Sequence, residues 1–337
     1  MTGGAGTGPI VETVTGPAHG SEIRSALGHE HFFVDFLGPA NPQYMDVAWG
    51  DVTAACLRNA EELRAQGVDL FVDWTNLGVG RNVLLLREVS RRTGLKILCA
   101  TGVYKSLLPP RLVASSLAEL AAHFFGELTK GIEGTPIRAA WIKIAASDNG
   151  PTKAETQVHR AAAMAGKSAG ATIGLHSPTA DAAHAVVKTL EQEGFDLRRF
   201  VWAHAQPCSS AEHLAMAARG AVVQFDAIGG ASDENFHGPF DDDSMLDRVQ
   251  VMVEAGFLDR VVVSTDASVV VHPEAKQYDR DNTYLNRTFA PKLRDRIGEE
   301  AAQTILRDNV VRAFRRGSRV RDAPDPVTHS TEGPEML

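Results

Sequence analysis

The sequence predicts an α/β fold, a (β/α)8 TIM barrel preceded by a short N-terminal β-hairpin. Short apolar, β-branched segments alternate with helical segments rich in Ala, Leu, Glu and Arg, which is the pattern of a parallel sheet. Eight such strands are predicted in 337 residues, a length typical of one barrel with insertions. No glycine-rich dinucleotide fingerprint follows the first strand, which disfavours an open, doubly wound sheet.

The elements follow one another regularly along the chain. The strands are predicted near residues 25–31, 69–75, 96–102, 139–147, 172–177, 200–206, 221–229 and 260–268. The helical segments between them include DVTAACLRNAEELRAQG, NVLLLREVSRRTG and ETQVHRAAAMAGKSAG, which end at Gly, a common helix stop. Before the barrel, PIVETVTGPAHGSEI predicts the hairpin, which we expect to cover the barrel floor.

We expect one barrel domain over residues 9–317, a disordered N-terminus at 1–8 and a loosely ordered, Pro-rich tail at 318–337. No signal peptide or membrane-spanning stretch is predicted. The three scattered cysteines are typical of a reducing compartment, so a cytoplasmic location is predicted. A net charge of −8 without a basic run argues against nucleic acid as a partner.

Metal-compatible side chains fall at the ends of five predicted strands. The first strand ends in two histidines at i and i+2, which share a face at strand spacing. Active sites of such barrels form at the carboxyl ends of the strands, so we expect these side chains to meet. They are His29, His31, Lys143, His176, His204 and Asp266.

Each of these residues alone has an ordinary explanation. A single strand-end histidine is commonly a hydrogen-bonded rim residue, and Asp266 is compatible with a helix N-cap. Lys143 is harder to explain, because an ammonium within WIKIAAS would be buried and unfavourable without a partner. The convergence of all six on one barrel mouth predicts a metal site.

Charge balance suggests a role for Lys143. Four neutral imidazoles and one carboxylate, Asp266, compensate two divalent ions poorly. Addition of CO2 to the lysine amine gives an anionic carbamate with two oxygens, able to bridge two metals. Ions about 3.5–4 Å apart would share a hydroxide and clamp the attacking and leaving oxygens. Nitrogen and oxygen ligands suit Zn, with Mn, Co or Fe as alternatives.

The segments GHEH, IKIAAS, GLHS, WAHAQ and STD, in this order, resemble the phosphotriesterase family of the amidohydrolase superfamily. The segments VTGPAHGSE, LGHEHFF and VDWTNLGVGRNVLLLREVSRRTGLKILCATGVY are also similar to it, so the resemblance runs from about residue 10 to about residue 316. It implies that His29, His31 and Asp266 hold a buried metal and that His176 and His204 hold an exposed one. Lys143 would bridge the two as its carbamate.

The resemblance also implies a mechanism. Family members hydrolyse phosphotriesters, lactones and some amides. The exposed metal would polarise the carbonyl or phosphoryl oxygen, the bridging hydroxide would attack, and Asp266 would take up the proton. Tyr104 matches a position where lactonases of the family carry a tyrosine near the bridging solvent, although an aromatic packed on the rim explains it equally well.

One departure concerns the substrate. Family lactonases that act on acyl-homoserine lactones tend to carry an Asp-Arg pair after the seventh strand, where this chain has Asp226 and Ala227. The missing guanidinium removes a bidentate donor and argues against that substrate class. Asp226 either hydrogen-bonds near the site or caps the loop. Lys105 is expected to be a solvated loop lysine, with contact to an anionic substrate group as the alternative.

The loops above the barrel are expected to set specificity. The segment after the eighth strand is interpreted as a loop with an apolar start at Val269 to Val271, which suits a substrate with an acyl or alkyl part. His237 and His272 are expected to face solvent.

The predicted function is a dinuclear metal-dependent hydrolase in which a metal-bridging hydroxide attacks a lactone or ester carbonyl. Promiscuous phosphotriesterase activity is expected beside it. The alternatives are a primary phosphotriesterase, an amidase on small N-acyl compounds, a mononuclear deaminase, which would not need Lys143, and a non-catalytic ligand-binding barrel. The expected partners are a small-molecule substrate and a second copy of the chain in a homodimer, with neither nucleic acid nor membrane.

Overall fold

The chain begins with a β-hairpin, as predicted. The computed structural model describes residues 8–105, 107–230, 240–274 and 280–317. Strand β1 (Ile10–Thr13) pairs antiparallel with β2 (Gly16–His19). The Val14 amide in the turn donates a hydrogen bond to the Ile97 carbonyl at 2.9 Å, which ties the hairpin to a strand of the main sheet.

Parallel strands follow at every predicted position, which confirms the (β/α)8 barrel. They are β3 (Ala26–Val34), β4 (Leu70–Asp73), β5 (Lys96–Leu98) with its continuation β6 (Ala100–Gly102), β7 (Trp141–Ala145), β8 (Thr172–His176), β9 (Phe200–Ala203), β10 (Val222–Phe225) and β11 (Val261–Val263). Strands adjacent in sequence pair in space, from β3 through β5 and from β6 through β11. The predicted third strand is divided at Cys99.

The segment after β11 closes the barrel against β3. The Asp266 amide donates to the His29 carbonyl at 3.0 Å, and the His31 amide donates to the Ala267 carbonyl at 2.9 Å. A further strand, β12 (Ser268–Val271), then pairs parallel with the outer part of β3. The prediction of a loop at Val269 to Val271 is therefore wrong, because this β-branched segment finds a partner in the long β3.

Helices separate the strands. They are α1 (Trp49–Ala65), α2 (Val83–Thr93), α3 (Pro110–Val113), α4 (Leu117–Thr129), α5 (Lys153–Ala169), α6 (Ala180–Gln192), α7 (Ser210–Ala218), α8 (Asp242–Glu254), α9 (Ala290–Ile297), α10 (Glu299–Gln303) and α11 (Asn309–Ala313). Ser116, Thr152 and Ser209 start α4, α5 and α7 with reciprocal capping boxes. Gly170 ends α5 in the left-handed conformation.

Short helical turns complete the path. These are 3-10 turns at Gly20–Glu22, Leu197–Arg199 and Leu258–Arg260, and π-helical turns at Leu285–Phe289 and Thr304–Asp308. Among the residues that the structure describes, no helix combines the length and the apolar character needed to cross a membrane.

Alternate strand residues contribute to two apolar cores. One face packs against the helices, with Phe71, Ile142 and Phe225 among its buried side chains. The other forms a second cluster that contains Trp74 and Trp141, whose ring centroids are 4.4 Å apart. The histidine cluster described below rests on this second core, because Trp74 stacks on one of its imidazoles.

Some sequence predictions fall outside the described residues. These are the predicted tail at 318–337, the predicted N-terminal segment apart from Gly8, and His237. The single-domain organisation over 9–317 stays a prediction.

Candidate metal centre

The six candidate ligands converge at the carboxyl ends of the strands. His29 and His31 lie on β3, Lys143 on β7 and His176 at the end of β8. His204 directly follows β9, and Asp266 lies between β11 and β12.

The imidazoles are mutual neighbours. The His29 and His31 rings are 5.5 Å apart by centroid, and the His176 and His204 rings are 4.3 Å apart. One ligand atom each of His29, His204 and Asp266 fall within 4.8 Å of one another, a set that spans both predicted metal positions.

Asp266 joins the two histidines of β3. Its Oδ1 lies 3.2 Å from Nε2 of His29 and 3.2 Å from Nε2 of His31. Burial raises the pKa of Asp266, but the neighbouring His29 and His31 outweigh this and hold it well below its usual range. Burial lowers the pKa of His31 to about 4, so this imidazole is neutral and keeps a lone pair. A carboxylate facing two histidine imidazoles is a donor set for a divalent cation.

His29 provides the test of whether these residues fit a metal. Its ring is fully buried and stacks on Trp74 at 3.9 Å with an interplanar angle of 8°. Both ring nitrogens lie near carboxylates, Nδ1 at 3.1 Å from Asp226 and Nε2 at 3.2 Å from Asp266, yet neither makes a well-directed hydrogen bond. Buried polar atoms normally have a hydrogen-bond or ligand partner, so the two His29 nitrogens indicate a binding partner such as a metal ion. The residues present therefore fit a divalent ion.

Asp226 orients a second imidazole from beneath. Its Oδ1 accepts from His204 Nδ1 at 2.9 Å and from the Gln206 side chain at 3.1 Å, while Oδ2 accepts from the His204 amide at 3.0 Å. Of the two roles expected for Asp226, the structure has the hydrogen bond near the site. This pairing through Nδ1 fixes the tautomer and orientation of the His204 ring, as in carboxylate–histidine–metal arrangements. Thr75 does the same for His31 Nδ1 at 2.8 Å.

The backbone is strained at the site. His204 (φ 60°), Asp266 (φ 50°) and Lys105 (φ 45°) adopt the left-handed conformation, which residues other than Gly rarely adopt. Such outliers persist where surrounding contacts over-determine them, and they concentrate at functional sites. All three lie on strand-end segments around the candidate ligands, which supports a functional centre here.

Lys143 is a buried lysine on β7. The residue is 3% exposed, and its Nζ lies 5.1 Å from the Trp74 ring centroid and 5.6 Å from the Tyr104 ring centroid. Within the described part of the chain, no carboxylate forms an ion pair with it. Burial lowers the pKa of Lys143 to about 8, against the opposing effect of Asp266 and Asp226. Near physiological pH, part of the Lys143 population therefore carries the neutral, nucleophilic amine.

A cavity of about 280 Å³ opens above the centre. His31, Lys143, His176 and Asp266 form part of its wall, and the remaining lining residues are Val34, Phe36, Val79, Tyr104, Lys105, Asp148, Pro178 and Arg280. The Tyr104 hydroxyl is 3.1 Å from His176 Nε2, so this side chain faces the centre.

Two side chains differ from what the sequence predicts. The Lys105 side chain is only 26% exposed and its Nζ lies 3.2 Å from Asp148, so it is not a freely solvated loop lysine. His272 is 3% exposed, and its amide donates to the Val34 carbonyl at 2.9 Å. The expectation that His272 faces solvent is wrong, because β12 carries the chain inward along β3.

Residues 9–314 match the phosphotriesterase family. The chain belongs to this family. A phosphotriesterase homology protein of Escherichia coli K12 is 31% identical over 293 residues, which cover 86% of this chain and 97% of the relative. An aryldialkylphosphatase of Saccharolobus solfataricus is 26% identical over 260 residues, covering 74% of this chain and 81% of the relative. A PTE-like lactonase mutant from Deinococcus radiodurans has a similar structure, with a TM-score of 0.78 and 28% identity over 90% of this chain and 99% of that one.

As a member of the phosphotriesterase family, the chain is a metal-dependent hydrolase. The family assignment agrees with the His/Asp cluster, whose donor atoms suit a metal ion.

Several residues around the centre were not predicted from the sequence. Trp74 and Thr75 directly follow β4, so their place beside the strand-end ligands could have suggested contact with the histidines. Arg280 gave no such signal. It lies in the segment after β12, yet its Nη1 is 3.0 Å from Asp266 Oδ2.

Proposed function

We propose that the chain is a dinuclear hydrolase that opens lactones or related carboxylic esters, with phosphotriesters as a secondary substrate class. The observation that carries the proposal is the convergence of four histidines, Lys143 and Asp266 at the carboxyl ends of the strands, where His31, His176, Lys143 and Asp266 line one cavity. The alternative, that each histidine is an ordinary hydrogen-bonded rim residue, explains neither the cluster nor the buried lysine within it.

The proposed ligand set follows the positions of the side chains. His29, His31 and Asp266 would hold one ion, since Asp266 Oδ1 is equally close to both imidazoles. His176 and His204 would hold the second, since their rings are adjacent. Zn is the preferred ion for this nitrogen- and oxygen-rich set, with Mn, Co or Fe as alternatives.

Lys143 would bridge the two positions after carboxylation. Its neutral amine adds to CO2 and releases one proton, which leaves a carbamate with one negative charge and two oxygens. The modification is supported by burial beside Trp74 and by the lack of an ion-paired carboxylate among the described residues. An anionic carbamate between two cations would remove an otherwise unfavourable buried ammonium.

When bound, the ions would supply Lewis acidity for the substrate oxygen and an activated water as nucleophile. Asp266 is proposed to accept the proton of the attacking water, since its Oδ1 faces the centre and its low pKa keeps it ionised. Tyr104 is proposed to position substrate or water through its hydroxyl beside His176. Asp226 keeps His204 in the required tautomer and orientation.

The cavity wall supports an acyl substrate. Val34, Phe36 and Val79 contribute apolar side chains to the lining, which suits the carbon chain of a lactone or ester. A lactonase among the similar structures agrees with this choice. Ala227 provides no guanidinium after β10, so acyl-homoserine lactones are not the proposed class.

The test combines metal analysis with a substrate screen. Lys143→Ala is expected to lower the bound metal from two ions per chain to one or fewer and to abolish hydrolysis. Lys188→Ala, an exposed lysine on α6, is the matched control and should keep both metals. The screen compares lactones of varied chain length, phosphotriesters and N-acyl amines.

Two results would contradict the proposal. Retention of two metals and full activity in Lys143→Ala would exclude the bridging role of Lys143. Faster turnover of a phosphotriester or an N-acyl amine than of every lactone would replace the proposed substrate class by one of those alternatives.

We also propose that the protein is a cytoplasmic homodimer, on the basis of its family resemblance and its cysteine content. Light scattering after size-exclusion chromatography should give about twice the chain mass of 36.2 kDa. A mass of one chain at micromolar concentration would contradict the dimer.

A further inference from the structure

A second cavity, of about 420 Å³, lies between the N-terminal hairpin and α2. Its lining consists of residues 12–17 of the hairpin, Arg87 and Arg91 of α2, and residues 136–138, and we call it the hairpin cavity. The Val14 amide of the hairpin bonds to β5 near the start of that strand. The hairpin cavity therefore lies at the amino ends of the strands, opposite the candidate metal centre.

Hydrogen bonds fix the hairpin wall of this cavity. Thr13 Oγ1 accepts from the Thr15 amide at 3.2 Å and donates to the Gly16 carbonyl at 2.5 Å. Thr15 Oγ1 in turn lies 3.4 Å from Ser90 Oγ of α2. Because these contacts join the hairpin to the helix, the hairpin cavity is formed before a ligand binds, as is usual for small-molecule sites.

Positive charge predominates in the hairpin cavity. Its charged side chains are three guanidiniums and one carboxylate, those of Arg87, Arg91, Arg138 and Glu12. Glu12 is 7% exposed, and its oxygens lie 2.7 Å from Arg138 Nη2 and 3.4 Å from Arg316 Nη1. This carboxylate already serves two guanidiniums, so it does not compensate the charges of Arg87 and Arg91.

Arg87 and Arg91 share one face of α2, because they are four residues apart on the helix. Among the residues that the structure describes, neither side chain forms an ion pair or a hydrogen bond. Their neighbour Arg92 differs, since its Nη1 lies 3.8 Å from Glu88. Two like charges at this helical spacing repel each other. An anion held between the two guanidiniums would remove that repulsion.

We propose that the hairpin cavity binds a phosphate group, either inorganic phosphate or the phosphate of a small monoester, through Arg87 and Arg91. A phosphate group is close to a dianion at neutral pH, so it matches two positive charges. The guanidinium fork also fits phosphate oxygens better than an ammonium does. A volume of about 420 Å³ is in the range of small-molecule sites and leaves room for the organic part of a monoester.

The binding test titrates the metal-loaded protein calorimetrically with inorganic phosphate at low ionic strength, where charged contacts are least screened. Arg87→Gln and Arg91→Gln should each weaken phosphate binding about tenfold or more, the effect of losing one charged hydrogen-bonded pair. Arg92→Gln is the matched control on the same helix, because Arg92 lines no part of the hairpin cavity. This variant should keep the wild-type affinity.

Further probes identify the ligand. Glycerol 3-phosphate distinguishes the two sources of the phosphate group. Tighter binding of this ester than of inorganic phosphate supports a monoester ligand, and equal or weaker binding supports inorganic phosphate. Acetate carries a single charge and should bind about tenfold more weakly than phosphate or worse. Acetate that bound as tightly as phosphate would overturn the assignment of a phosphate site.

Melting temperatures separate phosphate binding from a structural role of the two arginines. Phosphate should raise the melting temperature of the wild-type protein, since a ligand of the folded state stabilises it. The rise should be smaller in Arg87→Gln and in Arg91→Gln. Without phosphate, these two variants should melt no lower than the wild-type protein, because the repulsion between like charges is gone.

Three results would overturn the proposal. The first is the absence of saturable phosphate binding by the wild-type protein. The second is wild-type phosphate affinity in both arginine variants, which would show that phosphate binds elsewhere, the metal centre included. The third is a lower melting temperature of both variants with an unchanged rise on addition of phosphate, which would make the arginines structural. None of these results depends on hydrolysis, so failure here leaves the proposed hydrolase function intact.

Discussion

Glu30 is a single buried carboxylate that fixes a ligand without entering the centre. It lies between His29 and His31, on the opposite face of β3, and is fully buried. Its Oε1 accepts from the Ser264 hydroxyl at 2.7 Å and the Thr265 amide at 3.0 Å. Its Oε2 accepts from the Thr265 hydroxyl at 2.6 Å and the Ala267 amide at 2.9 Å.

These four hydrogen bonds surround Asp266 in the sequence. They hold the residues on both sides of it while its own φ of 50° is strained. Glu30 therefore acts as a positioning residue for the carboxylate that faces the histidines.

Replacing Glu30 by Gln should weaken metal binding about 10–100-fold, the range for residues that orient metal ligands. In the Gln variant, an NH2 group replaces one carboxylate oxygen that now accepts two hydrogen bonds. The segment that carries Asp266 therefore loses those two hydrogen bonds. Metal affinity is measured by competition with a chromogenic chelator.

Glu127→Gln is the control for simple destabilisation. Glu127 is 3% exposed and accepts from Arg81 and from the Thr101 hydroxyl at 2.6 Å. This variant should lower the melting temperature and leave metal affinity near the wild-type value. If the Glu30 variant lost stability to the same extent but kept wild-type metal affinity, the positioning role would be refuted.

Among single residues, the sequence predicts the ligands at the strand ends but does not predict Arg280. His29, His31, His176 and their partners are predictable because strand ends of a barrel meet at one place. Arg280 lies 14 residues after Asp266 in a segment without periodicity. Its approach to the cavity depends on the packing of separate segments, so local pattern cannot reveal it.

At the scale of elements, β8 contributes space as well as a ligand. A Cβ atom at Gly174 would lie 2.6 Å from both Trp74 and Trp141. Trp74 in turn stacks on His29. The glycine in the middle of β8 therefore lets two indoles fill the core directly beneath the histidines.

Gly174→Ala should lower the free energy of unfolding by about 1–3 kcal/mol, because the added methyl overpacks a closed core. The matched control is Gly126→Ala within α4, where nothing lies within 4 Å of the added Cβ. That variant should raise stability by about 0.5–1 kcal/mol, since Ala restricts the unfolded chain and favours the helix. Urea unfolding measures both, and a stabilised Gly174 variant would contradict the packing argument.

The predicted strands and the observed ones agree because each has its own apolar, β-branched segment. β12 is the exception. The sequence of β12 is equally compatible with a strand and with an apolar loop. Pairing with β3, more than two hundred residues away in sequence, makes it a strand. Non-local pairing of this kind is not encoded in local pattern.

At the scale of the whole molecule, the two ends of the barrel have different tasks. The candidate centre occupies the carboxyl ends of the strands, while ion pairs hold the amino ends. Asp69, which precedes β4, accepts from the Arg24 side chain at 2.9 Å and 3.2 Å and also contacts Arg64 of α1. It thereby joins the segment before β3 to the end of the first helix. Mutations at the amino ends should therefore change stability without changing function.

Asp69→Asn tests this separation through its pH dependence. Burial raises the pKa of Asp69, but the hydrogen bonds from Arg24 and Arg64 outweigh it and hold the pKa well below the usual value. The ionised group therefore stabilises the folded state fully above about pH 4, where the unfolded chain is also ionised, and this contribution is lost as pH falls further.

The variant should lose about 1.5–3 kcal/mol at pH 7, the range for hydrogen bonds to a charged group, and the difference from wild type should shrink below about pH 4. Asp196→Asn, at an exposed pair with Arg198, should change stability by less than about 1 kcal/mol. Metal content and kcat should stay at wild-type values in Asp69→Asn, because the ion pair lies at the end of the barrel opposite the centre. A difference that did not change with pH would refute the ion-pair account, and loss of metal would show that the two ends are coupled.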